Sequence, residues 1–208
     1  MSARMMLLPV VLAVVFSALA QACSSVAPPP APPPRIPTIL PPTTISRTPQ
    51  MADRPLPEDC EFVLTVEVLD QKLGRELGGE LKQIIGVPEP SLGRTGKIDC
   101  YYGLGQRQPI AAAPVIVGLA TYVDEPTAAG RVADSVTAER EDGATITPVE
   151  VTRHKASLVV TRTERLLVGS LGKTTYVVRA KAGFLPDEQV GPFLVALAQQ
   201  SMTPVEED

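Results

Sequence analysis

Four residues of the chain have the spacing of a catalytic motif. Ser170-Leu171-Gly172-Lys173 matches the S-x-x-K of serine enzymes that act on penicillins, and one histidine, His154, is present to serve as a base. S-x-x-K chemistry needs the serine at the start of a buried helix, the lysine one turn later, and S-D-N and K-T-G elements downstream. Here the tetrad falls where a hairpin turn is expected, and neither downstream element occurs. Gly172-Lys173-Thr174 also ends like a phosphate-binding loop, but the glycine required five residues before Gly172 is Leu167. Gly93-Arg94-Thr95-Gly96-Lys97 fails in the same way, with Ile98 where a hydroxyl must hold magnesium. His154 stands between Arg153 and Lys155, a setting that reads as a solvated loop rather than an activating partner.

Metal binding needs clustered His, Cys, Asp or Glu. Cys60 and Cys100 are 40 residues apart with no C-x-x-C, which suits a disulfide and not zinc. The acid pairs Asp124-Glu125, Glu141-Asp142 and Asp187-Glu188 fall at expected helix ends, where the helix dipole and solubility account for them. Tyr101-Tyr102 places one ring on each face of a strand, one for the core and one for a surface. The residues thus predict a protein that is not an enzyme, with no catalytic residue, no metal site and no cofactor.

The third cysteine directs the reading to a compartment. Cys23 follows an apolar run, Met5–Ala20, that carries no charge, and the small-residue site Ala20-Gln21-Ala22. Such a segment, with Arg4 ahead of it, reads as an export signal. Sixteen residues interrupted by Pro9 are short of the roughly 20 that span a bilayer, so an uncleaved anchor is the lesser alternative. Ala20-x-Ala22 suits an ordinary signal peptidase, which would leave Cys23 a free thiol. Cys23 at the +1 position suits a lipoprotein peptidase, which cuts after the sulfur is diacylated, although Ala20 and Gln21 stand where the lipobox usually has Leu and then Ala or Ser. In an oxidising compartment an odd cysteine count needs a resolution. Pairing of Cys60 with Cys100 and a lipid on Cys23 provides one. The expectation is a lipoprotein at the extracytoplasmic face of the cell membrane.

Residues 24–59 hold 12 of the 22 prolines, including PPPAPPP at 28–34, and no apolar period of 2 or 3.6. The composition predicts a disordered, semi-rigid polyproline spacer of about 3.1 Å per residue, up to roughly 100 Å long. A stalk is favoured over a ligand for a proline-recognition module; Thr43, Thr44, Ser46 and Thr48 are O-glycosylation candidates. The expected organisation is a signal peptide at 1–22, acylated Cys23 with a linker to 59, one globular domain at 60–202 and an acidic tail at 203–208. A net charge of −4 without a run of like charges argues against nucleic acid as a partner.

Within the domain, Thr65 as N-cap and Gly74 as stop predict a helix inside 60–74, with a strand over 61–68 as the alternative. The Gly-rich, charged stretch 74–96 reads as a loop around one helical turn. Strands are expected at 97–105, 114–123, 157–163, 165–171 and 174–180, the last two joined as a hairpin at Gly172-Lys173. A helix starting at Asp124-Glu125-Pro126 and running to Glu141 should bury Ala129, Val132, Ala133 and Val136. A final helix at 185–202 should turn Val190, Phe193, Leu194 and Leu197 inward, with Pro192 kinking it or marking its start. Strands outnumber crossover helices, so the fold class is α+β: a mainly antiparallel sheet packed with helices.

A cysteine at a lipobox, a Pro/Thr linker, the run from Cys60 through Leu64-Thr65 to Gly74, and Cys100-Tyr101 ahead of a terminal helix together carry a resemblance. The chain resembles a family of secreted actinobacterial lipoproteins, many of them mycobacterial, whose domain has no assigned function. More loosely it is similar to small lipoproteins with a Mog1-like or PsbP-like sandwich. Tyr102 departs from the family, which usually has Trp there. The resemblance implies an envelope lipoprotein with one internal disulfide. Three functions then compete: a non-catalytic binding or accessory module for an envelope protein or ligand, a carrier of lipid or another apolar ligand, and, least favoured, an envelope hydrolase.

Overall fold

The computed structural model describes residues 50–204. Seven strands form one sheet: β1 (Glu80–Gly86), β2 (Arg94–Leu104), β3 (Val115–Tyr122), β4 (Thr145–Val151), β5 (His154–Val160), β6 (Glu164–Leu171) and β7 (Thr174–Lys181). The order across the sheet is β1-β2-β3-β7-β6-β5-β4, and every neighbouring pair is antiparallel. Four helices accompany it: α1 (Cys60–Val63), α2 (Val66–Leu73), α3 (Glu125–Glu141) and α4 (Asp187–Ser201). The α+β, antiparallel architecture is the one expected. None of the described helices is long and apolar enough to cross a membrane.

Alternation along the strands gives the sheet two different faces. Ile98, Cys100 and Tyr102 of β2, Val115, Val117 and Leu119 of β3, and Tyr176 and Val178 of β7 point to one side. There they meet Val63, Leu69, Val190, Phe193, Leu194 and Leu197, so α1, α2 and α4 cover that face with the main core. The opposite face carries a smaller cluster of Val159, Leu166 and Val168 with Val136 of α3. The described domain is therefore a sheet with helices on both sides, covered by α1, α2 and α4 on one and by a single helix on the other.

Local chemistry explains the helix boundaries. Thr65 accepts from the Val68 N–H, and Gly74 ends α2 at φ +75°, a conformation that suits glycine. The expected helix inside 60–74 is thus divided, because Leu64 and Thr65 are extended between α1 and α2. Asp124 caps α3 and Pro126 sits in its first turn. Pro192 lies inside α4, and Val190, Phe193, Leu194 and Leu197 are buried as expected. In α3, Val136 is buried and Val132 packs against the second cluster, but Ala129 and Ala133 face solvent and Ala128 is buried instead.

Two strands are additional to those expected. β1 lies in the stretch 74–96 that reads as a loop, and β4, which contains Pro148, lies in a stretch with no expected element. The folded part also begins earlier than Cys60. Met51 and Leu56 pack against the main core, the Ala52 N–H donates to Met202 O at 3.0 Å, and Arg54 Nη1 donates to the carbonyls of Phe62, Ser201 and Thr203. Residues 50–59, assigned to the linker by composition, form a strap on the domain. The expected signal peptide, Cys23, the linker up to residue 49 and tail residues 205–208 lie outside the described residues.

Candidate binding surface

Helix α3 lies mainly against β6 and β7 of its face and touches β3, β4 and β5 less, which leaves β1, β2 and the adjoining part of β3 without a helix. The uncovered half is charged. On β2, Lys97, Asp99 and Tyr101 point to this side, opposite Ala120, Gly118 and Ile116 of β3. Together with Thr175, Val177 and Arg179 of β7 they line a depression of about 140 Å³. Gly118 makes room for it: a Cβ there would lie 2.6 Å from Asp99 Oδ1, so the carboxylate rests directly on the strand backbone.

Lys97 Nζ holds Asp99 Oδ2 at 2.7 Å, and Arg179 Nη1 lies 3.7 Å from Glu164 Oε2. The Tyr101 phenol is pushed up by burial first and by the Asp99 carboxylate second, with Arg179 opposing. It therefore stays protonated at neutral pH and can donate a hydrogen bond. A concave floor with two cations, a protonated phenol and a shielded carboxylate offers charge and hydrogen bonding to a polar group. A second pocket of about 240 Å³, which shares Val177 and Arg179 with it, lies beneath α3, with Val136, Val159, Leu166 and Val168 as its apolar lining and Ser135 and Glu139 at its side.

The motif-like residues lie elsewhere. Ser170 is on β6, two residues along from Val168 and hence on the α3 side of the sheet. His154 opens β5, two residues before Ala156, which belongs to the main core on the other side. The register pairs Ala156 with Gly169, so the two side chains occupy neighbouring rungs on opposite faces. They do not form a serine–histidine pair. Placing His154 on a strand, half-buried, also replaces the solvated loop that its cationic neighbours suggested.

The Gly172-Lys173-Thr174 turn does hold an anion, one supplied by the chain itself. Asp53 of the strap accepts from Lys173 N at 3.1 Å and from Thr174 Oγ1 at 3.0 Å. Gly172, at φ +57°, leaves the space that the carboxylate fills. The strap's second anchor, Arg54, sits at the carboxyl end of α4, where a cation meets the helix dipole.

Cys60 and Cys100 form a disulfide, with Cα atoms 5.6 Å apart, tying α1 to β2 on the covered face. Tyr102 is buried and its hydroxyl donates to Leu64 O at 2.6 Å, while Tyr101 lines the open face. The two rings divide between core and surface as their alternation predicts. Asp124 caps α3 and is held below the usual carboxylate range by its hydrogen bonds with Thr127. Among the described residues no group of three His, Cys, Asp or Glu could hold a metal ion. Lys97, Asp99 and Arg179 escape a reading of sequence alone. Their signal was available only as polar alternation within KIDCYY, and the uncovered half-sheet depends on where α3 ends up.

No protein-family model matches the chain, and no curated protein matches it. Among solved structures, it is similar to the extracellular domain of PknH from Mycobacterium tuberculosis at 9% identity, with a TM-score of 0.41 over 71% of this chain and 97% of that one. So distant a likeness assigns no function.

Proposed function

We propose that the protein is an exported lipoprotein, acylated on Cys23, whose domain binds an envelope partner outside the membrane without performing chemistry on it. The observation that carries the binding reading is the open half-sheet, where Lys97, Asp99, Tyr101 and Arg179 surround a depression left free by α3. The depression is smaller than the roughly 300–1,000 Å³ of small-molecule sites, which favours a protruding group of a larger partner. Cys23, the small-residue site before it and the Pro-rich spacer after it support the anchor and the stalk. Confinement near a membrane raises effective concentration, so a modest interface suffices.

A photocrosslinker at Tyr101 in the full chain, expressed in cells, tests this reading. It should capture one discrete partner, and Arg179→Glu should abolish capture while leaving the Cys60–Cys100 disulfide intact. His154→Ala and Ser170→Ala should capture as the parent does. Loss of capture in either of those two, with Arg179→Glu unaffected, would refute it. Anchoring is tested by intact mass and detergent partitioning of the Cys23→Ala chain, which should lose its lipid and leave the membrane. The valines and leucine lining the pocket beneath α3 support the carrier as the second reading, and a stoichiometric apolar ligand extracted into organic solvent would establish it.

A further inference from the structure

The two edges of the sheet are finished differently, and the backbone hydrogen bonds show how. At the ends of the β3–β7 pair, Tyr122 N donates to Lys173 O at 2.9 Å and Lys181 N donates to Pro114 O at 3.0 Å. Even-numbered residues of β3 therefore aim their backbone groups at β7, and odd-numbered ones at β2. The register pairs Val117 with Cys100 and Asp99 with Ile84, so alternation points Lys82, Ile84 and Gly86 of β1 inward at β2. Leu81, Gln83 and Ile85 aim their N–H and C=O groups outward.

The same reasoning runs to the other edge. Ala182 N donates to Thr163 O and Thr161 N donates to Glu164 O, which fixes the β6–β7 and β5–β6 ladders. Alternation then points Ile146, Pro148 and Glu150 of β4 outward. Pro148 removes the donor at the middle of that edge, a device that blocks strand addition. β1 has no proline. Among the described residues nothing bonds the outward groups of Leu81, Gln83 and Ile85; the Gln83 side chain is occupied with Cys60 N and Glu58 O, but its backbone is not. Ile84, Ile85 and Val87 are exposed there, at 40%, 60% and 77%.

We propose that β1 is the docking edge for a second copy of this chain, adding antiparallel to its own symmetry mate. The segment from Leu81 to Val87 is self-complementary in one register. Ile84 faces Ile84, Leu81 faces Val87, Gln83 faces Ile85 and Lys82 faces Gly86, with no like charges opposed. In that register the outward groups of Gln83 and Ile85 bond one another across the two-fold axis. Pro148 closes the opposite edge, so pairing stops at a dimer instead of growing into a fibre. Seven residues at about 3.4 Å each span about 24 Å, too little contact for the roughly 1,200 Å² of a tight complex, so the dimer is weak and concentration-dependent. The axis stands perpendicular to the sheet. It brings the two open half-sheets side by side on one face, joining two copies of the Lys97–Asp99–Arg179 surface.

The geometry predicts one particular crosslink. Facing Ile84 residues form a non-hydrogen-bonded pair with Cα atoms about 4.5 Å apart, within disulfide range. In the purified full chain under mild oxidant, Ile84→Cys should give a disulfide-linked dimer at least fivefold more abundant than Val87→Cys. Val87 is more exposed, but the register holds it about 20 Å from its mate, six residues along a strand. Adding Ile85→Pro, which removes an outward donor and spares the β1–β2 ladder, should return Ile84→Cys to the Val87→Cys level. Circular dichroism and an intact Cys60–Cys100 bond check that each variant is folded. Equal crosslinking at positions 84 and 87, none at 84, or crosslinking at 84 that survives Ile85→Pro in a folded chain each overturns the proposal. Lipid vesicles that bind through Ile84 and Ile85 in place of a dimer would overturn it as well.

Discussion

Two tyrosines offer the sharpest test of the packing, because one chemical change should have opposite effects at each. Tyr102 and Tyr176 are both buried, at 1% and 0% exposure. The Tyr102 hydroxyl donates to Leu64 O at 2.6 Å, holding the end of α1 against β2. The Tyr176 hydroxyl has no hydrogen-bond partner among the described residues and lies over Gly169, where any Cβ would collide with it. Tyr102→Phe deletes a hydrogen bond and strands a carbonyl, a loss of about 1–2 kcal/mol. Tyr176→Phe deletes a hydroxyl whose burial costs on the order of 1–3 kcal/mol, so it should be neutral or stabilising. A 1 kcal/mol change moves Tm by about 2–4 °C at this size, and urea unfolding at constant m-value gives the difference directly. Alkaline unfolding provides an independent readout. Burial pushes the Tyr176 phenol from 10.0 up to about 12, so the folded chain holds that proton more tightly than the unfolded one. Its contribution is intact below pH 10 and is lost as pH rises toward 12, and Tyr176→Phe should flatten that fall. Equal destabilisation by the two substitutions would refute this account, since it would require a bonded Tyr176 hydroxyl.

Replacing both Cys60 and Cys100 by Ala should cost about 4 kcal/mol in the chain-entropy model for a 40-residue loop, seen as a lower urea midpoint. Thiol labelling of the unreduced, unfolded parent should leave both unmodified. Gly172→Ala should lose about 1–2 kcal/mol, because its φ of +57° disfavours a side chain and the new methyl meets the Asp53 carboxylate. Hydrogen exchange at the Ala52 amide should quicken in that variant as the strap lifts.

What the sequence disclosed follows the physics of each element. The final helix declared its inward residues because α4 has a continuous core beneath it. The hairpin at Gly172-Lys173 and the tyrosine pair were equally plain, since alternation and turn chemistry are local. β1 was hidden because no residue of ELKQIIG is fully buried on either side and the segment shows no alternation to read. β4 was hidden by Pro148, which argues against a strand unless the residue's N–H points away from the sheet, a fact of topology. Ala129 and Ala133 were misplaced because alanine fits either face of α3. The strap, MADRPLPED, shares the proline content of the linker, and its Asp53 and Arg54 find their partners 120 and about 147 residues away. The open half-sheet depends wholly on how far one helix reaches.

Strap, edge and the proposed stalk then constrain one another. Asp53 fixes the strap at the β6–β7 turn, which is an end of the sheet, and β1 is an edge three strands from β7. Antiparallel pairing through β1 reverses strand direction between the copies, so their β6–β7 turns lie at opposite ends of the joined sheet. If both copies are tethered to one membrane, one tether has to run the length of a strand farther than the other. Eight residues of β7 at about 3.4 Å amount to about 27 Å. If residues 24–49 are the polyproline spacer that their composition predicts, at about 3.1 Å each they would allow up to about 80 Å. The proposed dimer is therefore compatible with both copies being anchored in one membrane through the proposed spacer.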